Sequence, residues 1–357
     1  MSPTLTALVL AIHARVPVLL WGAPGTGKSS VIRQLGERLG LPVETVIASI
    51  REPSDFAGLP VVTDGRVRFA PPDWAVRLAR HGTGLLFLDE ISTAPPAVQA
   101  ALLRVVLERT VGDLELPPGV AIVAAANPAA QAAGGWDLSA PLANRFLHLD
   151  WHVNGLAWAD GFVSSWAKLE VPELPADWTA GLPAARDEIA GYIRQRPDAL
   201  LSVAETAEAA SRAWPSPRTW EMAARLLAAA RAAEAPAEVL ETLLAGTVGN
   251  AAARDYLTLL RRGAAWDLDR AFQRPDDARI PESPDALDGF LRAVIARFAA
   301  SADEKAWQRS WQLLARAADA AGVDAVVPHA IALHEAGSDA FLVPAEARPL
   351  LEALRVS

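Results

Sequence analysis

The eight residues Gly22-Ala23-Pro24-Gly25-Thr26-Gly27-Lys28-Ser29 constrain what this chain can fold into more than any other stretch of it. Their spacing is the one with which a backbone loop wraps polyphosphate, and that pattern needs a strand before it and a helix after it. Residues 17–21 are an apolar run of strand length. Residues 28–39 carry Val31, Ile32, Leu35 and Leu39 at helical spacing, and Gly40 with Pro42 stops the helix. The glycines let N–H groups turn toward phosphate oxygens, and the helix start adds the positive end of its dipole. Lys28 is placed to neutralise β- and γ-phosphates and Ser29 to offer a hydroxyl to Mg²⁺. Together with Ser30, these residues are the candidate contacts for ATP.

A second chemical signal lies about 60 residues on. Leu85-Leu86-Phe87-Leu88-Asp89-Glu90 reads as a buried strand that delivers two carboxylates at its C-terminal end, where open parallel sheets bind ligands. Asp89 is expected to hold the Mg²⁺ shell and Glu90 to polarise the attacking water. Residues 43–50 and 120–125 are further strand candidates separated by helical segments, so the first 150 or so residues read as α/β with a covered parallel sheet. Thr63-Asp64-Gly65 sits between β-formers and predicts a hairpin over 59–69. A second hairpin is expected over 110–116, ahead of Pro117-Pro118-Gly119.

Read together with Ala125-Ala126-Asn127-Pro128 and Leu142-Ala143-Asn144-Arg145-Phe146, these motifs resemble the MoxR branch of AAA+ ATPases, with GvpN, CbbQ-type activators and dynein-related ATPases near it by the same motifs. The resemblance is close over residues 17–146, loose to residue 231 and absent beyond. It implies an α/β fold, a P-loop parallel-sheet core with an α-helical lid and further C-terminal helices. It implies that Asn127 is sensor 1, orienting water near the γ-phosphate, and that Arg145 is an arginine finger reaching the ATP of a neighbouring subunit. Arg218, in Ser216-Pro217-Arg218-Thr219, resembles sensor 2, which contacts the γ-phosphate from the lid. It further implies a homo-oligomer, a hexameric ring, acting as a chaperone on a protein client, with a von Willebrand factor A domain protein as a partner. The hairpins match in position inserts that touch substrate near a central pore.

The residues alone leave alternatives open. Asn127 also suits a turn before Pro128, Arg145 a salt-bridged helix end, and Arg218 an exposed first turn, with Ser216 as N-cap and Pro217 as first helical residue. Val61, Val67 and Phe69 of the first hairpin suit packing on their own domain equally well, and Arg104 and Arg109 suit a solvated helix face.

At 357 residues, about one domain per 100 to 200 residues predicts two or three. We divide the chain into an ATPase core with hairpin inserts (1–154), a linker and helical lid (155–279) and a C-terminal helical region (280–357). Helices are expected over 184–231 with breaks at Pro197 and 214–217, and over 236–262, 284–299 and 304–320. A composition of 52% hydrophobic and 21% charged residues excludes general disorder. The net charge of −9 and the lack of a Lys/Arg run disfavour a nucleic-acid motor or loader, the first alternative function. The second, a scaffold that binds ATP with little turnover, has no need of the full hydrolytic set. Zero cysteines and the absence of a signal-peptide pattern or of an 18-residue apolar run predict a cytoplasmic protein without a membrane span. Among the twelve tryptophans, Trp158, Trp166, Trp307 and Trp311 read as helix core. His148 and His152 flank Asp150 at strand spacing, a weak metal signal without a third ligand.

Overall fold

The apolar runs read as strands join one parallel sheet. The computed structural model describes residues 2–128, 136–163, 171–264, 268–278, 280–281, 284–301, 303–337, 341–342, 344–347 and 350. Along the N-terminal part run α1 (Pro3–His13), β1 (Val18–Trp21), α2 (Lys28–Leu39), β2 (Val43–Ile47), α3 (Ser54–Ala57), β3 (Leu59–Thr63), β4 (Arg66–Ala70), α4 (Asp73–His81) and β5 (Thr83–Asp89). Then come α5 (Pro96–Glu108), β6 (Thr110–Val111), β7 (Leu114–Glu115), β8 (Gly119–Ala126), α6 (Ala140–Ala143) and β9 (Leu147–Asp150). The sheet order is β2-β5-β8-β1-β9, every neighbouring pair parallel. Alternation along β1 shows why both faces are covered: Val18 and Leu20 point into one apolar cluster, Leu19 and Trp21 into the other. The first cluster is closed by Leu8 and Ile12 of α1 and Ile32 and Leu35 of α2, the second by Trp74 and Leu78 of α4 and Val98 and Leu102 of α5. Burying a leucine this completely stabilises by about 1.5–3 kcal/mol.

Two boundaries differ from expectation for local reasons. The strand expected over 43–50 ends at Ile47, which pairs with Asp89, the last residue of β5; beyond it the edge strand has no ladder partner, and Ala48–Ile50 turn into a 3₁₀ helix. The helix expected over 236–262 is two, α11 (Ala237–Val248) and α12 (Asn250–Ala264), parted by Gly249 at φ 83°. A Cβ there would lie 2.9 Å from the Ala213 carbonyl oxygen, so glycine meets both the conformation and the close approach.

Both hairpins form, β3 with β4 and β6 with β7, and they are clasped together. Asp113 donates its N–H to the Phe69 carbonyl at 2.9 Å and accepts the Phe69 N–H on its carboxylate at 2.9 Å. The side chains of Val61, Val67 and Phe69 are exposed, as are Leu59 and Val62, so the first hairpin does not pack its apolar residues on its own domain.

After the sheet follow α7 (Gly155–Val163), α8 (Leu182–Gln195), α9 (Ala207–Ala210) and α10 (Pro217–Ala232), then α11 and α12. The chain divides into two compact units, Met1–Asp255 and Tyr256–Ser357, with the division inside α12. Unit 2 contains α13 (Leu268–Gln273), α14 (Pro284–Ser301), α15 (Glu304–Ala321) and α16 (Val327–Gly337) around Trp307, Trp311, Phe290 and Phe298. Trp307 and Trp311 are fully buried, as their spacing predicts. Trp158 is not core: it is half exposed and stacks on Phe162, ring centroids 4.9 Å apart, because α7 is one short helix whose described residues face outward. Trp166 lies outside the described residues. Among the described residues no helix is long and apolar enough to cross a membrane.

Candidate nucleotide site

β1 delivers the chain to the loop 22–29 at the C-terminal edge of the sheet. Gly25 at φ 77° and Gly27 at φ 85° hold the left-handed conformations that curl the loop, and Gly27 is the N-cap of α2. Nothing stands within 4 Å of where a Cβ would be at either, so these positions need glycine for backbone freedom, while the space around them stays open. The Thr26 hydroxyl donates to the Ala23 carbonyl at 2.7 Å and stiffens the curl. Trp151, just past β9, braces it from outside: its indole N–H donates to the Thr26 carbonyl at 3.0 Å.

The Lys28 side chain is buried within the loop. Its ammonium donates to the carbonyls of Gly22 at 2.7 Å and Ala23 at 3.0 Å and to Asn127 Oδ1 at 3.1 Å. Burial pulls its pKa below that of a free lysine, and the negative charges of Asp89 and Glu90 oppose that shift. The Ser29 hydroxyl donates to Asp89 Oδ2 at 2.7 Å, joining two motifs that lie 60 positions apart. Glu90 follows at φ 58°, its own N–H bonded to Asp89 Oδ1 at 3.0 Å. That left-handed turn carries its carboxylate sideways to Ser49, whose hydroxyl donates to Glu90 Oε2 at 2.5 Å.

β8 runs between β5 and β1 and ends at Ala126, so Asn127 emerges between the loop and the acids. Its backbone is fixed by Ser92: the Asn127 N–H donates to the Ser92 hydroxyl at 3.1 Å, which donates back to the Asn127 carbonyl at 3.3 Å. Lys28, Ser29, Asp89, Glu90 and Asn127 thus form one group. Hydroxyl and carboxylate oxygens side by side are the hard donors that suit Mg²⁺, and a lysine held among loop carbonyls is positioned where phosphate oxygens could take their place. Ser30, one residue further into α2, is exposed.

Arg145 and Arg218 stand elsewhere. Arg145 follows α6 and donates to the Pro141 carbonyl. Arg218 is in the first turn of α10 and donates to Asn144 Oδ1 at 3.2 Å. Arg109 is not on a solvated helix face: it ends α5 in a left-handed conformation and turns its guanidinium in to the carbonyls of Pro117, at 2.8 Å, and Val120. Arg104 is exposed and pairs with Glu108, one turn along. His148 is buried with both ring nitrogens engaged, Nδ1 accepting from the Trp21 indole at 2.9 Å and Nε2 donating to the Ala143 carbonyl at 2.9 Å. It has no lone pair left for a metal, and His152 is exposed.

Sequence reading missed Ser49, Ser92 and Trp151. Each reaches the site across neighbouring strands, and none belongs to a local pattern that spacing could reveal.

Residues 17–146 match the family described as AAA domain (dynein-related subfamily). The MoxR protein of Paracoccus denitrificans is 33% identical over 109 residues, 30% of this chain and 32% of that one. The MoxR protein of Methylorubrum extorquens is 35% identical over 106 residues, 29% of this chain and 30% of that one. The chain therefore spans about a third of the length of the curated relatives it matches. Among solved structures, a candidate ATPase from Cytophaga hutchinsonii aligns with a TM-score of 0.42 at 17% identity, covering 69% of this chain and 80% of that one. The strand-loop-helix, the acidic strand tip and the asparagine between them all lie within residues 17–146, the stretch that matches the AAA domain of the dynein-related subfamily, in a chain similar over about a third of its length to MoxR proteins.

Proposed function

We propose that this chain hydrolyses Mg-ATP and, as a ring of copies, uses the cycle to remodel or activate a protein client. The observation that carries the reading is the 2.7 Å contact of the Ser29 hydroxyl with Asp89, which puts the loop that cradles phosphate against the acids that serve hydrolysis. Bound Mg²⁺ would supply Lewis-acid charge to the phosphate oxygens, with Ser29 and Asp89 as its protein donors. Lys28 neutralises phosphate charge from inside the loop. Asn127 accepts from Lys28 and, held by Ser92, keeps a fixed amide beside the reacting phosphate. Glu90 is the base for the attacking water once it leaves Ser49. Arg145 meets charge on the transferred phosphoryl group of a neighbouring copy, a contribution of about 10³–10⁵ in rate where such fingers act.

The client-directed part follows from similarity to MoxR proteins and from the exposed apolar hairpin β3–β4, which offers Val61, Val62, Val67 and Phe69 to a partner. A von Willebrand factor A domain protein is the partner class we would test first, with six copies as the first ring stoichiometry. The cysteine-free composition suits a reducing, cytoplasmic setting.

The test is a pair of variants. Glu90→Gln should bind ATP with wild-type affinity while phosphate release falls by about 10²–10⁴. Lys28→Ala should lose at least about tenfold in nucleotide affinity, since a charge-assisted bond is removed. Unchanged affinity in Lys28→Ala would overturn the assignment of the loop, and rapid turnover by Glu90→Gln that of the base.

A further inference from the structure

We propose that Asn144 is a positioning residue that holds Arg218 beside Arg145, so that both guanidiniums are presented as one unit to the nucleotide of a second copy of this chain. This rests on the ATPase reading above and assigns Arg218 to the same pocket as Arg145, a neighbour's and not its own.

Strand polarity comes first. All five strands run the same way. The phosphate loop follows the last residue of β1, whereas Arg145 precedes the first residues of β9, where the Leu147 N–H bonds to the Pro17 carbonyl, just before β1 begins. The four residues of β1 separate those levels by about 13 Å, at about 3.3 Å per residue. An arginine side chain does not span that, and the Arg145 guanidinium is turned to Pro141 instead. Arg145 therefore sits at the edge of the sheet opposite its own loop.

Asn144 brings Arg218 to that same edge. It is only 2% exposed, and both polar atoms of its amide are hydrogen-bonded. Oδ1 accepts from the Ser216 hydroxyl at 2.8 Å and from Arg218 Nη1 at 3.2 Å, and Nδ2 donates to the Trp214 carbonyl at 3.2 Å. Every one of these partners belongs to the segment that starts α10. A buried amide that satisfies itself on one segment fixes it, because any shift leaves polar atoms unpaired in a dry site. Arg218 is thereby tied to the residue that precedes Arg145, while its side chain stays exposed.

Burial, then the charge of Arg218, holds Arg145 below the usual arginine range, and its Nε is buried without a partner among the described residues. Among the described residues neither arginine takes part in an ion pair. Two guanidiniums kept near one another with an unmet donor suit a group carrying several charged acceptor oxygens, as a triphosphate does.

The experiment is ATP hydrolysis by Asn144→Ala, Arg218→Ala and Arg145→Ala, each alone and each mixed in equal amounts with Glu90→Gln. Alone, Asn144→Ala should lose up to about 10²-fold in kcat, the scale of a misplaced group, with KM within about threefold of wild type. A merely structural asparagine would lower the melting temperature without that split. In each mixture the Glu90→Gln copies lend intact arginines to partners with an intact base, so phosphate release should exceed that of the two components assayed apart. Arg218 is exposed, so its variant folds even where Asn144→Ala does not. Recovery with Arg145→Ala but none with Arg218→Ala overturns the inference, for Arg218 then serves its own nucleotide. Recovery with neither removes the shared pocket altogether. A wild-type chain that releases no phosphate removes the ATPase reading, and this inference with it.

Discussion

At the scale of single residues, His148 shows how a side chain outside the chemistry can set conditions for it. Burial lowers its pKa from 6.5 to about 4; the Ala143 carbonyl opposes the shift and the charge of Arg212 adds to it. The folded chain thus holds the neutral ring, while the unfolded chain takes up a proton below pH 6.5. Stability from this group is complete above about pH 6.5 and is lost as pH falls toward about 4, by up to about 1.4 kcal/mol per unit. Denaturant titrations at pH 7 and pH 5 should show that loss in the wild type and a smaller one in His148→Gln. The strain at Glu90 is the residue-scale counterpart: a left-handed φ at a non-glycine position aims its carboxylate at Ser49. Ser49→Ala should free Glu90 and raise basal phosphate release without client, whereas a drop would mean that Ser49 orients the base productively. Trp151 offers a direct readout, since its indole bonds to the loop itself. Nucleotide binding should change intrinsic fluorescence in the wild type and much less in Trp151→Phe.

Elements were legible where local chemistry decides them. α2 runs over Lys28–Leu39, as read from apolar spacing and Gly40, because Gly27 and Gly40, both in left-handed conformations, bound it at each end. Ser216 is the N-cap of α10, within a capping box completed by Thr219. Ser216→Ala should cost about 1 kcal/mol from the cap alone, and more here because Asn144 also loses a donor. Thermal melting would check it. The loop and the acidic pair were legible for the same reason, each being a contiguous motif. What was hidden in the sequence is contact across strands. Ser92 supports Asn127 from 35 positions away, and the Trp151 indole reaches back 125 positions to Thr26. Such pairings are set by the order β2-β5-β8-β1-β9, which no run of residues encodes. Likewise the turn of Arg109 in to the carbonyls of Pro117 and Val120, at the start of β8, depends on a left-handed cap, a conformation a sequence pattern does not announce for arginine.

At the scale of the whole molecule, the second unit is built around aromatic contacts. Trp307 is fully buried between Phe298, Trp311 and Phe341. Trp307→Ala should destabilise by about 3–5 kcal/mol, read as a lower unfolding midpoint. The first unit carries the consequence of strand direction. Its phosphate loop and its Arg145 occupy opposite ends of four-residue strands, so under the proposed trans role of Arg145 a solitary chain holds two half-pockets and no whole one. Turnover per molecule is then a function of how crowded the molecules are. Serial dilution should lower specific activity well before nucleotide affinity changes, and a cell that makes less of this protein would lose output faster than it loses copies.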